Sequence, residues 1–253
     1  MWTIDRDAAP PCWRMDLAES RVSLAFTTRR GGVSLPPYDM LNLGRSTEDR
    51  VDFIEENRRR VIASLGFDPA AVATAGQVHG TAVARVSGPG LYSGVDTLVT
   101  TLPEVPLAVT GADCLPALFV APGAVGAAHC GWRGSADGMV RAALDAVCAA
   151  AAVPPSRVSV HLGPSIRSCC YEVGPEVAER FPAPALTRVD GAWRLDLVAA
   201  ARIALAGAGV PSESIHEVPA CTACEPYWYY SHRRDGPRTG RHWGLIGMHS
   251  REA

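Results

Sequence analysis

The feature that most constrains the fold is the grouping of short apolar runs. Six β-like runs, at 71–75, 82–86, 96–101, 106–110, 115–120 and 125–129, follow one another with only Gly- and Pro-rich breaks between them. A parallel strand pair needs a crossover of roughly a dozen residues, usually a helix. Most of these gaps are too short for one, so the pattern predicts an α+β chain and not a doubly wound parallel sheet. Further strands are predicted at 21–28 and 157–162, and two more at 227–231 and 242–248 around a turn at 235–240. Three segments read as helices. The segment 46–65 carries Val51, Ile54, Val61, Ile62 and Leu65 at helical spacing, with Ser46 or Thr47 as its cap and Gly66 as its stop. The others are 136–152 and 195–206, with Asp196 in the first turn of the latter. At 253 residues the chain is near the upper size for one core, and no repeat or linker divides it. It is read as one domain, 1–253, with 1–20 as a peripheral N-terminal segment.

Composition narrows the chemistry. All 24 basic residues are arginine. Without lysine there is no P-loop lysine, no Schiff-base aldolase and no pyridoxal-phosphate anchor. The 26 acidic residues bring the net charge to −2, which gives no electrostatic case for binding nucleic acid. No stretch reaches the ~18 apolar residues of a membrane span, and 1–16 lacks the apolar core of a secretory signal. The eight cysteines are scattered and do not frame a small disulfide scaffold. The expectation is a cytoplasmic protein with reduced thiols, no membrane association and no protein partner.

Zinc is held by His nitrogen and Cys sulfur, and a catalytic site keeps one position open. Three such residues lie in Gly-containing loops at strand ends: His79 in Gln77-Val78-His79-Gly80, Cys114 in Ala112-Asp113-Cys114-Leu115-Pro116, and His129 in His129-Cys130-Gly131-Trp132-Arg133-Gly134. They are distant in sequence, so spacing alone leaves a metal site, a packed thiol and hydrogen-bonded histidines all open. Alternation along a strand sends His129 and Cys130 to opposite faces. Cys130 therefore reads as a packed thiol or a nucleophile, not as a co-ligand. Cys221 and Cys224 form a lone CxxC, a weak signal for a metal half-site or redox pair; Cys169–Cys170 is adjacent and upstream. Arg58, Arg59 and Arg60 read as the wet face of a helix. Arg233, Arg234, Arg238 and Arg241 read as a solvated turn or an anion-binding cluster. There is no GxGxxG, GxSxG, HExxH or nucleobase-deaminase zinc signature.

Many segments together resemble the YfiH/laccase-domain family, also described as polyphenol-oxidase-like or as a purine nucleoside phosphorylase family. They run in order: Thr28-Arg29-Arg30-Gly31-Gly32, Leu41-Asn42-Leu43-Gly44, Gln77-Val78-His79-Gly80, Ala112-Asp113-Cys114-Leu115-Pro116, His129-Cys130-Gly131-Trp132-Arg133-Gly134, Cys170-Tyr171-Glu172-Val173-Gly174 and Ser231-His232-Arg233-Arg234-Asp235. Two segments depart from the family pattern: Cys130 replaces Ala, and Tyr229-Tyr230-Ser231-His232-Arg233-Arg234 stands for Phe-Phe-Ser-Tyr-Arg-Arg. The resemblance implies a layered sandwich of β-sheets covered by helices, related to a cysteine-hydrolase fold. It also implies a Zn2+ site at His79, Cys114 and His129, with copper as the other metal named for the family. The implied activities are phosphorolysis of adenosine, inosine, guanosine and methylthioadenosine, and deamination of adenosine. The partners are then purine nucleosides and phosphate. Asp113, Arg133 and Gln77 become the candidate catalytic residues, and Arg29, Asn42 and Glu172 the candidate substrate-binding residues. Competing readings are a copper-dependent phenol oxidase, a cysteine hydrolase using Cys114 or Cys130, and a binding protein with an aromatic surface at Tyr227–Tyr230.

Overall fold

A computed structural model describes residues 2–4 and 6–250. In chain order the strands are β1 (Thr3–Ile4), β2 (Cys12–Leu17), β3 (Val22–Thr27), β4 (Ala73–Ala75), β5 (Val83–Arg85), β6 (Gly90–Tyr92), β7 (Thr97–Thr100), β8 (Leu107–Gly111), β9 (Leu115–Ala121), β10 (Ala124–Cys130), β11 (Ser159–Leu162), β12 (Glu172–Val173), β13 (Leu186–Val189), β14 (Ala192–Leu195), β15 (Ile215–Glu217) and β16 (His242–Met248). The helices are α1 (Val51–Ser64), α2 (Trp132–Ala136), α3 (Met139–Ala151), α4 (Pro175–Ala178), α5 (Leu197–Gly207) and α6 (His232–Asp235). A seven-stranded sheet has the order β1-β2-β3-β16-β8-β4-β6, a six-stranded sheet the order β15-β11-β9-β10-β7-β5, and a small third sheet the order β12-β14-β13. Most pairings are antiparallel, as expected where strands follow one another without crossover helices.

Side-chain alternation explains how the two large sheets are covered. On β9, Leu118 and Val120 join an apolar cluster with Leu24 and Phe26 of β3, Val125 and Ala127 of β10, and Ile246 of β16. That cluster contains residues of both sheets. The alternate residues of β9, Leu115, Ala117, Phe119 and Ala121, pack instead with Met139, Val140, Ala143, Leu144 and Val147 of α3 and with Leu197, Val198 and Leu205 of α5. On the outer face of the seven-stranded sheet, Trp243 and Leu245 of β16 meet Val61, Ile62 and Leu65 from α1 and its end. Each strand therefore spends its two faces on two different clusters, which is why its sequence reads as nearly continuously apolar. Gly126 on β10 lets α3 approach closely, since a Cβ there would lie 2.6 Å from Val147 Cγ2. Among the described residues no helix is long and apolar enough to cross a membrane.

Several expectations need correction. The residues read as peripheral supply the edge of the larger sheet: β2 pairs with β3 along all six residues, and Trp2 is buried against Phe26. The first helix begins at Val51, five residues late. Residues 46–49 instead form a loop in which Thr47 Oγ1 donates to Gly44 O and Asn42 Nδ2 donates to Thr47 Oγ1 and Asp49. The second predicted helix starts at Met139, after Gly138 takes a left-handed φ of 88° and separates it from α2. Asp196 caps α5 by accepting from the Val198 and Ala199 N–H groups. The segment 227–231 is not a strand: Trp228 and Tyr229 N–H turn back onto Glu225 O. Of that run only Tyr227 is a strongly exposed aromatic, which weakens the reading of it as an aromatic interaction surface.

Candidate metal centre

Three chain segments converge at one end of the sheets. β10 ends at Cys130 and, by alternation, sends His129 to the side of Val125 and Ala127 and Cys130 to the opposite side with Ala128. Cys114 immediately precedes β9, whose first residue Leu115 pairs with Cys130. His79 comes from the loop between β4 and β5, with φ of 62°, and Gln77 beside it has φ of 54°. These left-handed residues fold the loop around one carboxylate. Asp96 accepts the N–H groups of Val78 at 3.0 Å, His79 at 2.9 Å and Gly80 at 2.9 Å. The same carboxylate meets His129 Nδ1 at 2.8 Å and is wholly buried. One acid therefore places the loop of His79 and the ring of His129 at once. With Nδ1–H given to Asp96, Nε2 of His129 is left free to ligate, the arrangement common at metal-bound histidines.

The ligand atoms of His79, Cys114 and His129 all lie within 4.8 Å of one another, and the two imidazole rings are edge to face at 4.8 Å. Ligand bonds of about 2.0–2.3 Å to a common Zn2+ would span such a set. Exposure is graded: His79 is open to solvent, Cys114 half-buried and His129 buried. Gly131 is required here, because a Cβ would lie 2.9 Å from His79 Cδ2, 3.3 Å from Cys114 Sγ and 3.5 Å from His129 Cε1. Burial raises the Cys114 thiol, but the His129 and His79 imidazoles outweigh it and hold its pKa at about 6. Burial likewise lowers His129, yet the Cys114 sulfur and Asp96 raise it to about 9. Two imidazoles, one thiolate-prone sulfur and a space that a methyl would fill suit a divalent ion of the zinc class. Cys130 is different: burial, then the nearby Cys114 and Asp96, push its thiol far up, so it packs as a neutral thiol.

A cleft of about 800 Å³ opens over the three ligands. Among its lining residues are Gln77, Asp113, Arg133, Trp132, Tyr171 and Leu197, together with Arg45, Arg58, Arg233 and Arg241. Of the candidate catalytic residues, Arg133 is exposed in the cleft with its guanidinium 4.2 Å over the Trp132 ring. Asp113 and Gln77 line it too, but their polar atoms are engaged. Asp113, at φ of 91°, accepts from Thr222 Oγ1, Ser231 Oγ and Arg233 N–H. The Gln77 amide is paired with the Thr110 backbone and hydroxyl.

The three candidate substrate-binding residues stand outside the lining. Arg29 is held by Asp39 and by Pro226 O, over the Tyr230 ring. Asn42 is fully buried and tied to Thr47, Asp49, Gly44 N–H and Arg241 N–H. Glu172 pairs with Arg194 across the small sheet. Two residues placed at the site escaped the sequence reading. Asp96 stood at the start of an apolar run with nothing but its charge to mark it. Arg58, taken as wet helix surface, is 5% exposed and donates Nε and Nη2 to Leu43 O. Burial lowers its pKa to about 10, so it keeps its charge at neutral pH, and its Nη1 has no hydrogen-bond partner among the described residues.

The family description "Multi-copper polyphenol oxidoreductase laccase" matches residues 23–249. A protein of Deinococcus radiodurans called purine nucleoside phosphorylase is 40% identical over 234 residues, 90% of each chain. The crystal structure of YlmD from Geobacillus stearothermophilus superposes with a TM-score of 0.92 at 33% identity, covering 99% of this chain and 100% of that one. The chain belongs to the YfiH/laccase-domain family. The crystal structure of the hypothetical protein YfiH of Bacillus licheniformis agrees, with a TM-score of 0.89, 31% identity and coverage of 97% and 98%. The YfiH-like assignment accounts for the mixed α and β content and the several sheets.

Proposed function

We propose that this YfiH-family protein is a zinc-dependent purine nucleoside phosphorylase. Its substrates are adenosine, inosine, guanosine and methylthioadenosine, with adenosine deamination as a second activity. The convergence of His79, Cys114 and His129 beneath an arginine-lined cleft carries the reading, and the names of the relatives supply the reaction class. Zn2+ held by these residues would supply Lewis-acid chemistry at its open fourth position.

The chain's own groups do the rest. Phosphorolysis joins a phosphate oxygen to ribose C1′ as the bond from C1′ to the purine nitrogen breaks, and the purine leaves with a proton. Phosphate recognition falls to arginine, since lysine is absent. Arg58 offers a buried charge with one unpaired donor, and Arg241, Arg45 and Arg133 stand on the same lining. Trp132, Tyr171, Ile166 and Leu197 give the purine an apolar wall. Burial, followed by the nearby Cys114, raises Tyr171 to about 12, so its hydroxyl stays protonated and can donate. Asp113 and Gln77 act as positioning residues, holding the loops around Cys114 and His79. The same reading takes residues 1–253 as one layered domain working in the reducing cytoplasm.

Zinc-loaded protein incubated with inosine and phosphate should release hypoxanthine, and His79→Ala should not. Absence of hypoxanthine from zinc-loaded wild type refutes the proposal. The copper oxidase alternative has the family description and the His₂Cys ligand set in its favour. An intense visible band from purified protein would select it, and covalent acylation of Cys114 would select a cysteine hydrolase.

A further inference from the structure

A second group of metal-ligand side chains lies outside the cleft. Cys169 and Cys170 are in the turn that follows β11, and Cys221 and Cys224 in the loop that follows β15. In sequence the two pairs are about fifty residues apart, and the CxxC alone was a weak signal. The fold joins them through β11 and β15, which run parallel side by side, and through the bridge of Ser165 with Cys221 just beyond. The four sulfurs all lie within 4.8 Å of one another. Cys224 Sγ is 3.4 Å from Cys169 Sγ and 3.3 Å from Cys170 Sγ. All four are thiols, not disulfides.

We propose that Cys169, Cys170, Cys221 and Cys224 form a structural Zn2+ site, separate from the centre at His79, Cys114 and His129. Tetrahedral zinc with bonds of about 2.3 Å to sulfur places its four sulfurs about 3.8 Å apart, the scale of this cluster. The number of ligands completes the shell, so the site is closed and structural, with no open position for catalysis. The adjacent Cys169 and Cys170 lie in a turn, where successive side chains are free of the strand's alternation.

The position gives the site a task. None of the four cysteines lines the cleft, but Tyr171, next to Cys170, does, and the chain beyond Cys224 leads on to His232 and Arg233, which line it too. Thr222, next to Cys221, donates to Asp113, as do Ser231 and Arg233. The thiolate cluster is thus a staple between two walls of the cleft.

The test is zinc content by mass spectrometry on protein purified under reducing conditions. Wild type should carry two zinc ions per chain, His79→Ala one, and the Cys221→Ser/Cys224→Ser double variant one. Alkylation mapping of wild type provides a check that needs no variant to fold. Iodoacetamide should spare all four cysteines in the zinc-loaded protein and label them after chelation. One zinc per chain in wild type, retained by the double variant, overturns the proposal. So do iron in place of zinc, equal labelling before and after chelation, or disulfides among the four in the reduced protein.

Discussion

Asp96 and Arg58 carry more of this account than their places in the sequence suggest. Asp96 is buried, and its two oxygens serve three consecutive N–H groups and the His129 ring. Asp96→Asn keeps the shape but loses the charge and forces one oxygen to become a donor. Zinc affinity at the centre should fall about 10- to 100-fold, as for other partners of metal-bound histidine, in competition against a chelator. An unchanged affinity would return Asp96 to a purely structural role. Arg58 tests the phosphate reading. Arg58→Met keeps the packing against Trp243 but removes the charge and the unpaired Nη1. The KM for phosphate should rise about 10-fold or more, the size expected for losing a charged hydrogen bond, while the KM for inosine stays close to wild type. A KM for phosphate that does not move would show that the anion binds elsewhere.

At the level of elements, the centre depends on three loops arriving together, and Gly131 is the point of closest approach. Gly131→Ala would press a methyl against His79 and Cys114. The variant should fold but lose the zinc of the centre, read as one fewer ion per chain. Retention of that ion would mean that the loop yields more easily than the contacts imply. Nine strands of the two large sheets were legible, because alternation and Gly–Pro breaks are local signals, whereas β1, β2, β6 and β15 were not read. The three residues that meet at the centre, His79, Cys114 and His129, were legible as a group once the motif order brought the family resemblance in. The loops were not. Arg58 lies on α1 among Arg59 and Arg60, both of which pair with Glu56, and only the packing of α1 on Trp243 shows that it alone is buried. Arg29, Asn42 and Glu172 sit in motif segments, yet their polar atoms are spent on neighbouring backbone and ion pairs. A motif marks a segment, and only tertiary contact separates the residue that faces the ligand from the one that holds the loop. The paired cysteines were missed for the same reason, since the parallel pairing of β11 with β15 has no local sequence signal.

Across the whole molecule, acid stability follows from two buried neutral histidines. His242 accepts the Tyr230 N–H, and burial, then the nearby Arg29, lowers its pKa to about 3. Burial, then His216, lowers His161 to about 3 as well. Unfolded, both take up protons near the ordinary value of about 6.5. The folded state is therefore favoured fully above that pH and loses stability as pH falls from about 6.5 toward 3. His242→Gln should reduce the slope of unfolding free energy between pH 6 and 5 by about 1 kcal/mol per pH unit, measured by urea titration. An unaltered slope would show that His242 is protonated in the folded protein. The central claim is that His79, Cys114 and His129 share one ion, and the most direct test is the zinc content of Cys114→Ser against wild type purified in parallel. The account predicts a deficit of one ion per chain in the variant; equal zinc in the two proteins would contradict it.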